Sequence, residues 1–197
     1  MKKVIPKNAI LIPDNATRVF TGIIFDVYQW PQKMFDGSTQ TFEMLKRVDT
    51  ASAIAIKDDK IVVVEVDQPN SYRQLAFPGG RIEKTDKDAS TLAAAQREVL
   101  EETGMRFKKW RLIHVQQGTQ KVEGFFYWYL ATDFIDRVEP EDDPGERIKV
   151  KLDSYAEVRV EVLTNPDLAY VRSIFNRIHS LQELKVIAEY IGQEVDR

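Results

Sequence analysis

The stretch AAAQREVLEETGM, residues 93–105, carries three glutamates on barely more than one helical turn. Its alanines favour a helix, and neither glycine nor proline interrupts residues 89–103. Gly104 is a typical helix-ending residue, so the sequence predicts a helix over 89–103. Three polar residues are candidates for its N-cap: Asp86, Asp88 and Ser90.

The three glutamates, Glu98, Glu101 and Glu102, fall within about a 100° arc of this helix. Like charges at such spacings repel each other. The plainest interpretation is an acidic face in contact with solvent. The alternative is a site for a hard cation, because oxygen ligands suit Mg²⁺ or Mn²⁺ and a bound cation would turn the repulsion into coordination.

The amino-acid composition excludes several classes of function for this protein. The 197 residues are 43% apolar and 30% charged, and the net charge of -3 provides no basic field to attract nucleic acid. Cysteine is absent and the histidines are His114 and His179, which excludes thiolate metal sites and disfavours a histidine-rich zinc site. No apolar run approaches the roughly 20 residues that span a bilayer. We therefore expect a cytoplasmic protein with neither nucleic-acid nor membrane partners.

The stretch GGRIEKTDKDASTLAAAQREVLEETGM, residues 79–105, resembles the Nudix box. The pattern of that box is G-x(5)-E-x(7)-R-E-U-x-E-E-x-G-U, where U is a bulky apolar residue. The second half of the box matches at every specified position: Arg97, Glu98, Val99, Glu101, Glu102, Gly104 and Met105. So many fixed positions in one short stretch make the match specific, and it favours the metal site over the solvated face.

The first half of the box departs from the pattern. Counted forward from Gly80, the glutamate position falls on Asp86. Counted back from Arg97, it falls on Ala89, because the gap is three residues too long. An insertion therefore precedes the helix. Either Asp86 or Asp88 replaces the missing glutamate, or that ligand is absent.

The resemblance implies both a fold class and a metal site. The fold would be α/β, a Nudix-type α/β/α sandwich with a mixed sheet, an N-terminal antiparallel β extension and C-terminal helices. In the family, box carboxylates and a backbone carbonyl bind Mg²⁺ or Mn²⁺; here these are Glu98, Glu101, Glu102 and Gly79. Arg97 would orient Glu98 by a charge-assisted hydrogen bond, with a simple surface salt bridge as the alternative.

A further carboxylate is expected on a loop before a late strand. Glu146, in GERIKV at 145–150, resembles the corresponding glutamate of the ADP-ribose branch of the family. It is our candidate for the catalytic base or an extra metal ligand, with a solvated loop carboxylate as the alternative. Other acids nearby compete for the role: Glu139, Glu141, Asp142 and Asp143.

The same branch suggests a substrate. The resemblance implies a hydrolase of nucleoside diphosphate derivatives that cleaves ADP-ribose or a related sugar nucleotide to AMP and a sugar phosphate. Coenzyme A, NADH, dinucleoside polyphosphates and nucleoside triphosphates are alternative substrates. A non-catalytic nucleotide-binding module is a third possibility, although the three box glutamates remain. Four residues are candidates for substrate contacts, each with core packing or solvation as the alternative: Trp30, Phe35, Arg73 and Arg81.

Three parts are expected along the chain. Residues 1–48 form a β extension with a hairpin turn at Asp36-Gly37. In the resembling branch such an extension helps to build a homodimer. Residues 49–165 form the catalytic core, and residues 166–197 pack on it as helices.

Periodicity and composition predict the elements of these parts. TASAIAIKDDKIVVVEV, residues 50–66, reads as two strands around an Asp-Asp turn, and FFYWYL, residues 125–130, as a buried central strand. Strands resume after the acidic loop, over residues 147–163. Two closing helices are predicted over 167–180 and 181–195.

Overall fold

The computed structural model describes residues 2–69, 74–83, 85–86, 90–140 and 145–196. Its strands are β1 (Lys2–Ile5), β2 (Thr17–Thr21), β3 (Phe25–Lys33), β4 (Thr39–Arg47), β5 (Thr50–Lys57), β6 (Lys60–Asp67), β7 (Gln74–Ala76), β8 (Gly79–Arg81), β9 (Met105–Gln117), β10 (Val122–Glu123), β11 (Phe125–Arg137), β12 (Arg147–Asp153) and β13 (Gln193–Asp196). Its helices are α1 (Thr91–Thr103), α2 (Tyr155–Thr164), α3 (Arg172–Phe175) and α4 (Leu181–Lys185), with a 3₁₀ turn at Pro166–Leu168.

The chain forms two compact units. The first unit consists of Met1–Thr50, Val115–Phe126 and Ile191–Arg197, and the second unit consists of Ala51–His114 and Tyr127–Tyr190.

The first unit contains a sheet in the strand order β10-β4-β3-β2, and β1 pairs with β13. Strands β3 and β4 are antiparallel and enclose the Asp36-Gly37 turn, as predicted, whereas β10 and β4 are parallel. The small core of this unit contains Ile12, Trp30 and Met44.

The second unit is built on a sheet in the order β12-β6-β5-β11-β9, with β7 paired to β6 and β8 paired to β5. Strands β5 and β6 form the predicted hairpin, in which Asp58 and Asp59 have φ angles of 51° and 57°. Positive φ at both turn positions is the geometry that matches the twist of a hairpin. Strand β11 is an interior strand and most of FFYWYL is buried, which confirms that prediction. The architecture is α/β with mixed sheets, as expected.

Helix α1 confirms the predicted helix and its caps. Ser90 is the N-cap, and its side chain accepts a hydrogen bond from the Ala93 N–H at 3.5 Å. Gly104 ends the helix with φ 68° and donates its N–H to Leu100 O at 2.8 Å. An added Cβ at Gly104 would lie 2.0 Å from Val138 O, so glycine is required for the close approach as well as for the backbone angle.

Helix α2 replaces part of the strand expected over 147–163, so that prediction is wrong for residues 155–163. The alternation of valine with charged residues resembles a strand. However, Ser154 and Glu157 form a capping box, with Glu157 Oε2 2.8 Å from the Ser154 N–H. Val158 and Val162, four residues apart, are the buried side of the helix. The box and this spacing are the local signals that could have revealed it.

The C-terminal part contains shorter helices than the two predicted over 167–180 and 181–195. The 3₁₀ turn, α3 and α4 occupy only part of those ranges, and β13 pairs antiparallel with β1 at the end of the described chain. Val171, Ile174 and Phe175 are all buried, so tertiary packing rather than local propensity shapes this segment. No helix in the described part of the chain is both long and apolar enough to cross a bilayer.

Candidate metal and catalytic site

The glycine turn at the start of the box is packed directly on strand β5. The Ala53 N–H donates to Pro78 O at 2.9 Å, and β8 pairs with β5. A Cβ added at Gly79 would lie 2.3 Å from Ser52 Oγ. The backbone of the turn can therefore approach the strand only because residue 79 has no side chain.

Gly80 provides the space for the first box glutamate. A Cβ at this position would lie 2.2 Å from Glu98 Oε1 and 2.4 Å from its Cδ. The carboxylate of Glu98 thus lies against the backbone of the turn, which brings helix α1 and β8 together at one point.

Arg97 connects both sides of this site. Its Nε donates to Asp86 Oδ1 at 2.8 Å, and its Nη2 donates to Arg81 O at 2.9 Å. Its Nη1 lies 2.8 Å from Glu101 Oε2 and 2.9 Å from Glu98 Oε1. Although burial opposes the charged form, these acids raise the pKa of Arg97 above its ordinary value, so the guanidinium stays charged.

Glu98 is a carboxylate with little solvent. Its side chain is 14% exposed. Burial raises the pKa of Glu98 to about 7, against the opposing effect of Arg97, and the charge of Glu101 adds to the rise. The group is therefore half-charged near neutral pH and would gain from a nearby cation.

Glu102 is the least satisfied acid of the site. The residue as a whole is half-buried, but its Oε2 is shielded from solvent and has no hydrogen-bond partner among the described residues. Burial, and then the charges of Glu98 and Glu146, raise the pKa of Glu102 well above its ordinary value, while a hydrogen bond from the Gly79 backbone opposes the rise. A shielded oxygen without a donor is costly unless a ligand satisfies it.

Glu146 comes from a different part of the chain and lies within electrostatic reach of Glu102. It is half-buried and accepts a hydrogen bond from Gln68 Nε2. Of its predicted competitors, Glu139 is exposed, and Glu141, Asp142 and Asp143 lie outside the described residues.

The donor set fits a hard divalent cation. Glu98, Glu101, Glu102 and Glu146 supply carboxylate oxygens, the ligands that Mg²⁺ and Mn²⁺ prefer. In the part of the chain that the structure describes, no three acidic or histidine side chains converge closely enough to enclose an ion. The Glu98 and Glu101 carboxylates both face Arg97. Two observations indicate that a divalent cation suits this site: the shielded oxygen of Glu102 and the mutual repulsion of the acids.

Asp86 is one of the two candidates for the missing box glutamate, and the structure places it beside Arg97. It is buried, and both of its oxygens accept hydrogen bonds, from Arg97 and from the Glu83 N–H. Asp88 lies outside the described residues.

The candidates for substrate contacts are dispersed. Arg81 has an exposed side chain on β8, beside the site. Trp30 and Phe35 belong to the first unit, where Trp30 is a core residue at 9% exposure and Phe35 is fully exposed. Arg73 lies outside the described residues.

Two side chains near these acids were not predicted. Gln68 holds Glu146, and Tyr170 stacks on Trp128 with ring centroids 5.6 Å apart. Burial and then the charge of Glu102 raise the pKa of Tyr170 to about 12, which places the phenol near that carboxylate. No local pattern could have revealed either residue, because both reach the site through the tertiary fold.

Comparison with known proteins identifies the family of the chain. The model of the NUDIX domain matches residues 46–173, which is more than half of the chain. The protein belongs to the Nudix family and is a Nudix hydrolase. None of the curated proteins matches it.

Two solved structures share its fold. One is the crystal structure of an ADP compounds hydrolase, with a TM-score of 0.66, 19% sequence identity, and coverage of 89% of this chain and 95% of that chain. The other is a NUDIX hydrolase from Nitrosomonas europaea, with a TM-score of 0.52, 21% identity, and coverage of 74% of this chain and 99% of that chain.

Proposed function

We propose that this Nudix hydrolase uses Mg²⁺ or Mn²⁺ to cleave the diphosphate of a nucleoside diphosphate derivative, ADP-ribose or a related sugar nucleotide, giving AMP and a sugar phosphate. The observation that carries the proposal is the shielded oxygen of Glu102, which has no hydrogen-bond partner within the described ranges and lies among acids that raise the pKa of this residue. A bound cation would compensate this costly arrangement, which a module that binds no metal would not need.

Glu98 and Glu102 are the principal metal ligands in this proposal, and Glu101 and the Gly79 carbonyl complete the set. The cation would neutralise charge on the diphosphate and lower the pKa of a bound water. Gly80 allows Glu98 to lie against the turn. Arg97 orients Glu98 and Glu101 through one nitrogen, Nη1, and does not itself contact the substrate.

Glu146 is the proposed base or additional ligand. Its charge acts on Glu102, so it lies in reach of the same reaction centre. The hydrogen bond from Gln68 restrains its carboxylate. As a base, Glu146 would accept the proton of the attacking water.

The choice of substrate rests on the shared fold with an ADP compounds hydrolase, and the four candidates for substrate contacts are kept as part of the proposal. Arg81 is exposed beside the glycine turn and suits contact with a phosphate. Phe35 is free to stack on a base, whereas Trp30 has a buried ring with its Nε1 donating to Gln32 at 3.0 Å. Arg73 is retained as a candidate for phosphate contact.

We also propose that the protein is a cytoplasmic homodimer joined through the first unit. Strand β2 is an edge strand of that unit's sheet, and every one of its residues is exposed. Four large apolar side chains lie in or just after it: Val19, Phe20, Ile23 and Ile24, which are 51%, 58%, 97% and 54% exposed. Such a patch on an unpaired edge favours association. Gel filtration with light scattering tests this, and a monomer at micromolar concentration would exclude it.

The test of activity is a substrate panel with Mg²⁺. It contains ADP-ribose, UDP-sugars, NADH, coenzyme A, diadenosine polyphosphates and nucleoside triphosphates, and release of AMP or phosphate is measured. We expect ADP-ribose or a sugar nucleotide to have the highest kcat/KM, and both a chelator and the Glu98→Gln substitution to abolish turnover.

Two outcomes would contradict the proposal in different ways. Faster turnover of coenzyme A, NADH or a triphosphate would replace the substrate and keep the reaction. No metal-dependent cleavage of any diphosphate would overturn the reaction itself.

A further inference from the structure

Asp86 lies in the insertion that lengthens the first half of the box. Its side chain is 1% exposed, less than that of Glu98 or Glu101. Two hydrogen bonds join Asp86 to Glu83: the Asp86 N–H donates to Glu83 O at 3.2 Å, and the Glu83 N–H donates to Asp86 Oδ2 at 2.6 Å. These bonds hold the carboxylate of Asp86 in its buried position.

The hydrogen bonds of Asp86 leave it little capacity for a metal. Oδ1 accepts from Arg97 Nε at 2.8 Å, and Oδ2 accepts from Arg97 Nη2 at 3.4 Å in addition to the Glu83 N–H. Although burial opposes it, these donors hold the pKa of Asp86 below its ordinary value, so the carboxylate is charged. A carboxylate has about four acceptor sites, and three are occupied here.

The pairing with Asp86 determines which way the guanidinium faces. Arg97 has one side, Nε and Nη2, engaged by Asp86 and the Arg81 carbonyl. The remaining nitrogen, Nη1, is directed at Glu98 and Glu101. Since the guanidinium is planar and rigid, fixing one side fixes the other.

We propose that Asp86 is a positioning residue: it holds the guanidinium of Arg97 so that Nη1 places the carboxylates of Glu98 and Glu101 for the reaction. The insertion therefore supplies, through the buried carboxylate of Asp86, a support for the metal carboxylates rather than a metal ligand. This inference rests on the proposed function, in which those carboxylates bind the cation.

The substitution Asp86→Asn tests the inference with almost no change of shape. The amide keeps one acceptor but turns an NH₂ toward a donor, either Arg97 or the Glu83 N–H, so one contact is lost. We expect kcat to fall by about 10–100-fold and Mn²⁺ affinity to weaken in the same range, as is usual for groups that orient metal ligands. KM should stay within about twofold, because Arg97 does not contact the substrate.

Asp36→Asn is the matched control. Asp36 also accepts hydrogen bonds from a backbone N–H and a hydroxyl, both of Ser38, at 2.9 and 2.6 Å, but it lies in the hairpin turn of the first unit. This variant should keep the kcat and Mn²⁺ affinity of the parent enzyme.

A second measurement uses the unsubstituted, chelator-treated protein and does not depend on activity. NMR of the arginine Nε–H groups, with Arg97→Lys to assign the Arg97 signal, reports its exchange with solvent. We expect slow exchange in the parent protein and rapid exchange in Asp86→Asn. Rapid exchange in the parent protein would overturn the inference even if Asp86→Asn failed to fold.

The possible failures can be told apart. If the parent enzyme shows no metal-dependent cleavage at all, the proposed function fails. If the parent is active and Asp86→Asn keeps its kcat and Mn²⁺ affinity, only the role of Asp86 fails. If Asp86→Asn loses Mn²⁺ affinity while the Arg97 Nε–H stays protected, Asp86 is a metal ligand and the positioning role is wrong.

Discussion

Two pairs of acids in this protein are shielded from solvent, and they differ in the cations and hydrogen-bond donors around them. Asp49 and Glu123, in the first unit, are 7% and 3% exposed. Glu98 and Glu102, on helix α1 of the second unit, are shielded at their carboxylates, Glu98 to 14% exposure and Glu102 at its Oε2. The partners of the two pairs differ.

Each acid of the first pair has a cation and a backbone donor. Asp49 lies 2.5 Å from Lys3 Nζ and accepts the Phe125 N–H at 3.0 Å. Glu123 lies 3.0 Å from Lys46 Nζ and accepts the Ile12 N–H at 2.7 Å. These contacts join segments distant in sequence, which is a structural role.

The second pair lacks this compensation. Glu98 has Arg97 but also repelling neighbours, and Glu102 has an oxygen without a partner among the described residues. A shielded acid with full compensation stabilises a fold, whereas one without it costs stability and is ready for a ligand cation. The predictions below test this contrast.

The largest effect should come from Glu102→Gln, which separates activity from stability. In the proposed function Glu102 is a principal metal ligand, and its loss would remove several kcal/mol of transition-state stabilisation, so kcat should fall by about 10²–10³-fold. The free energy of unfolding of the chelator-treated protein should stay equal or rise, because an unfavourable charge is removed. Steady-state kinetics measure kcat, and urea denaturation measures the free energy of unfolding. A marked loss of stability would show that Glu102 has a structural role like that of Asp49 and Glu123.

The second prediction concerns pH. Because the folded state raises the pKa of Glu98 from 4.5 to about 7, it binds the proton more tightly than the unfolded chain. This contribution to stability is complete below pH 4.5 and is lost as pH rises to about 7. The loss should reach up to about 3 kcal/mol. Urea titrations of chelator-treated protein should show it, and Glu98→Gln should lack it; equal pH profiles for both proteins would refute the assignment.

The third prediction is a loss of stability without a loss of activity, the opposite of the first. Glu123→Gln keeps the shape and the acceptor for the Ile12 N–H but loses the charge that pairs with Lys46. The free energy of unfolding should fall by about 1.5–3 kcal/mol, the usual worth of a hydrogen bond to a charged group. The kcat of the folded enzyme should be unchanged. Thermal unfolding and kinetics on the same sample would show whether stability falls while kcat stays unchanged, and a fall in kcat would contradict the prediction.

The smallest effect is expected for an exposed acid. Asp136 accepts two hydrogen bonds from Arg106, both at 2.7 Å, but the two side chains are 46% and 50% exposed. Solvent screens such a pair, so Asp136→Asn should leave both the melting temperature and kcat unchanged within error. A clear shift in the melting temperature would mean that bidentate geometry matters here more than burial.

Local signals predicted the elements whose determinants lie close together in sequence. Ser90 and Gly104 cap α1, and the Asp58-Asp59 turn joins β5 to β6, as expected. Helix α2 is not predicted, because its valines alternate with charged residues as in a strand. The capping box of Ser154 and Glu157 is the local signal that indicates the helix. The pairing of β1 with β13 had no local signal, since it joins the two ends of the described chain.

The candidate site divides in the same way. The match at residues 97–105 identified the glutamates and the family, and the family is confirmed. The buried position of Asp86 could not be read from the pattern, because the insertion removes the expected spacing. The contact between Gln68 and Glu146 brings together residues far apart in the chain. The roles of the site residues, including Glu146, stay predictions.

The amino-acid sequence alone determined that a capped helix carries glutamates on one face, because helical periodicity and capping act over three or four residues. The tertiary structure decided which of those carboxylates lose their solvent and which keep a partner. The burial of each carboxylate depends on which parts of the chain pack against it. The free energy of ionising a carboxylate depends more on that environment than on the neighbouring residues in the sequence. Glu101, at 36% exposure, and Glu102, with an oxygen shielded from solvent, are adjacent in sequence and differ for this reason.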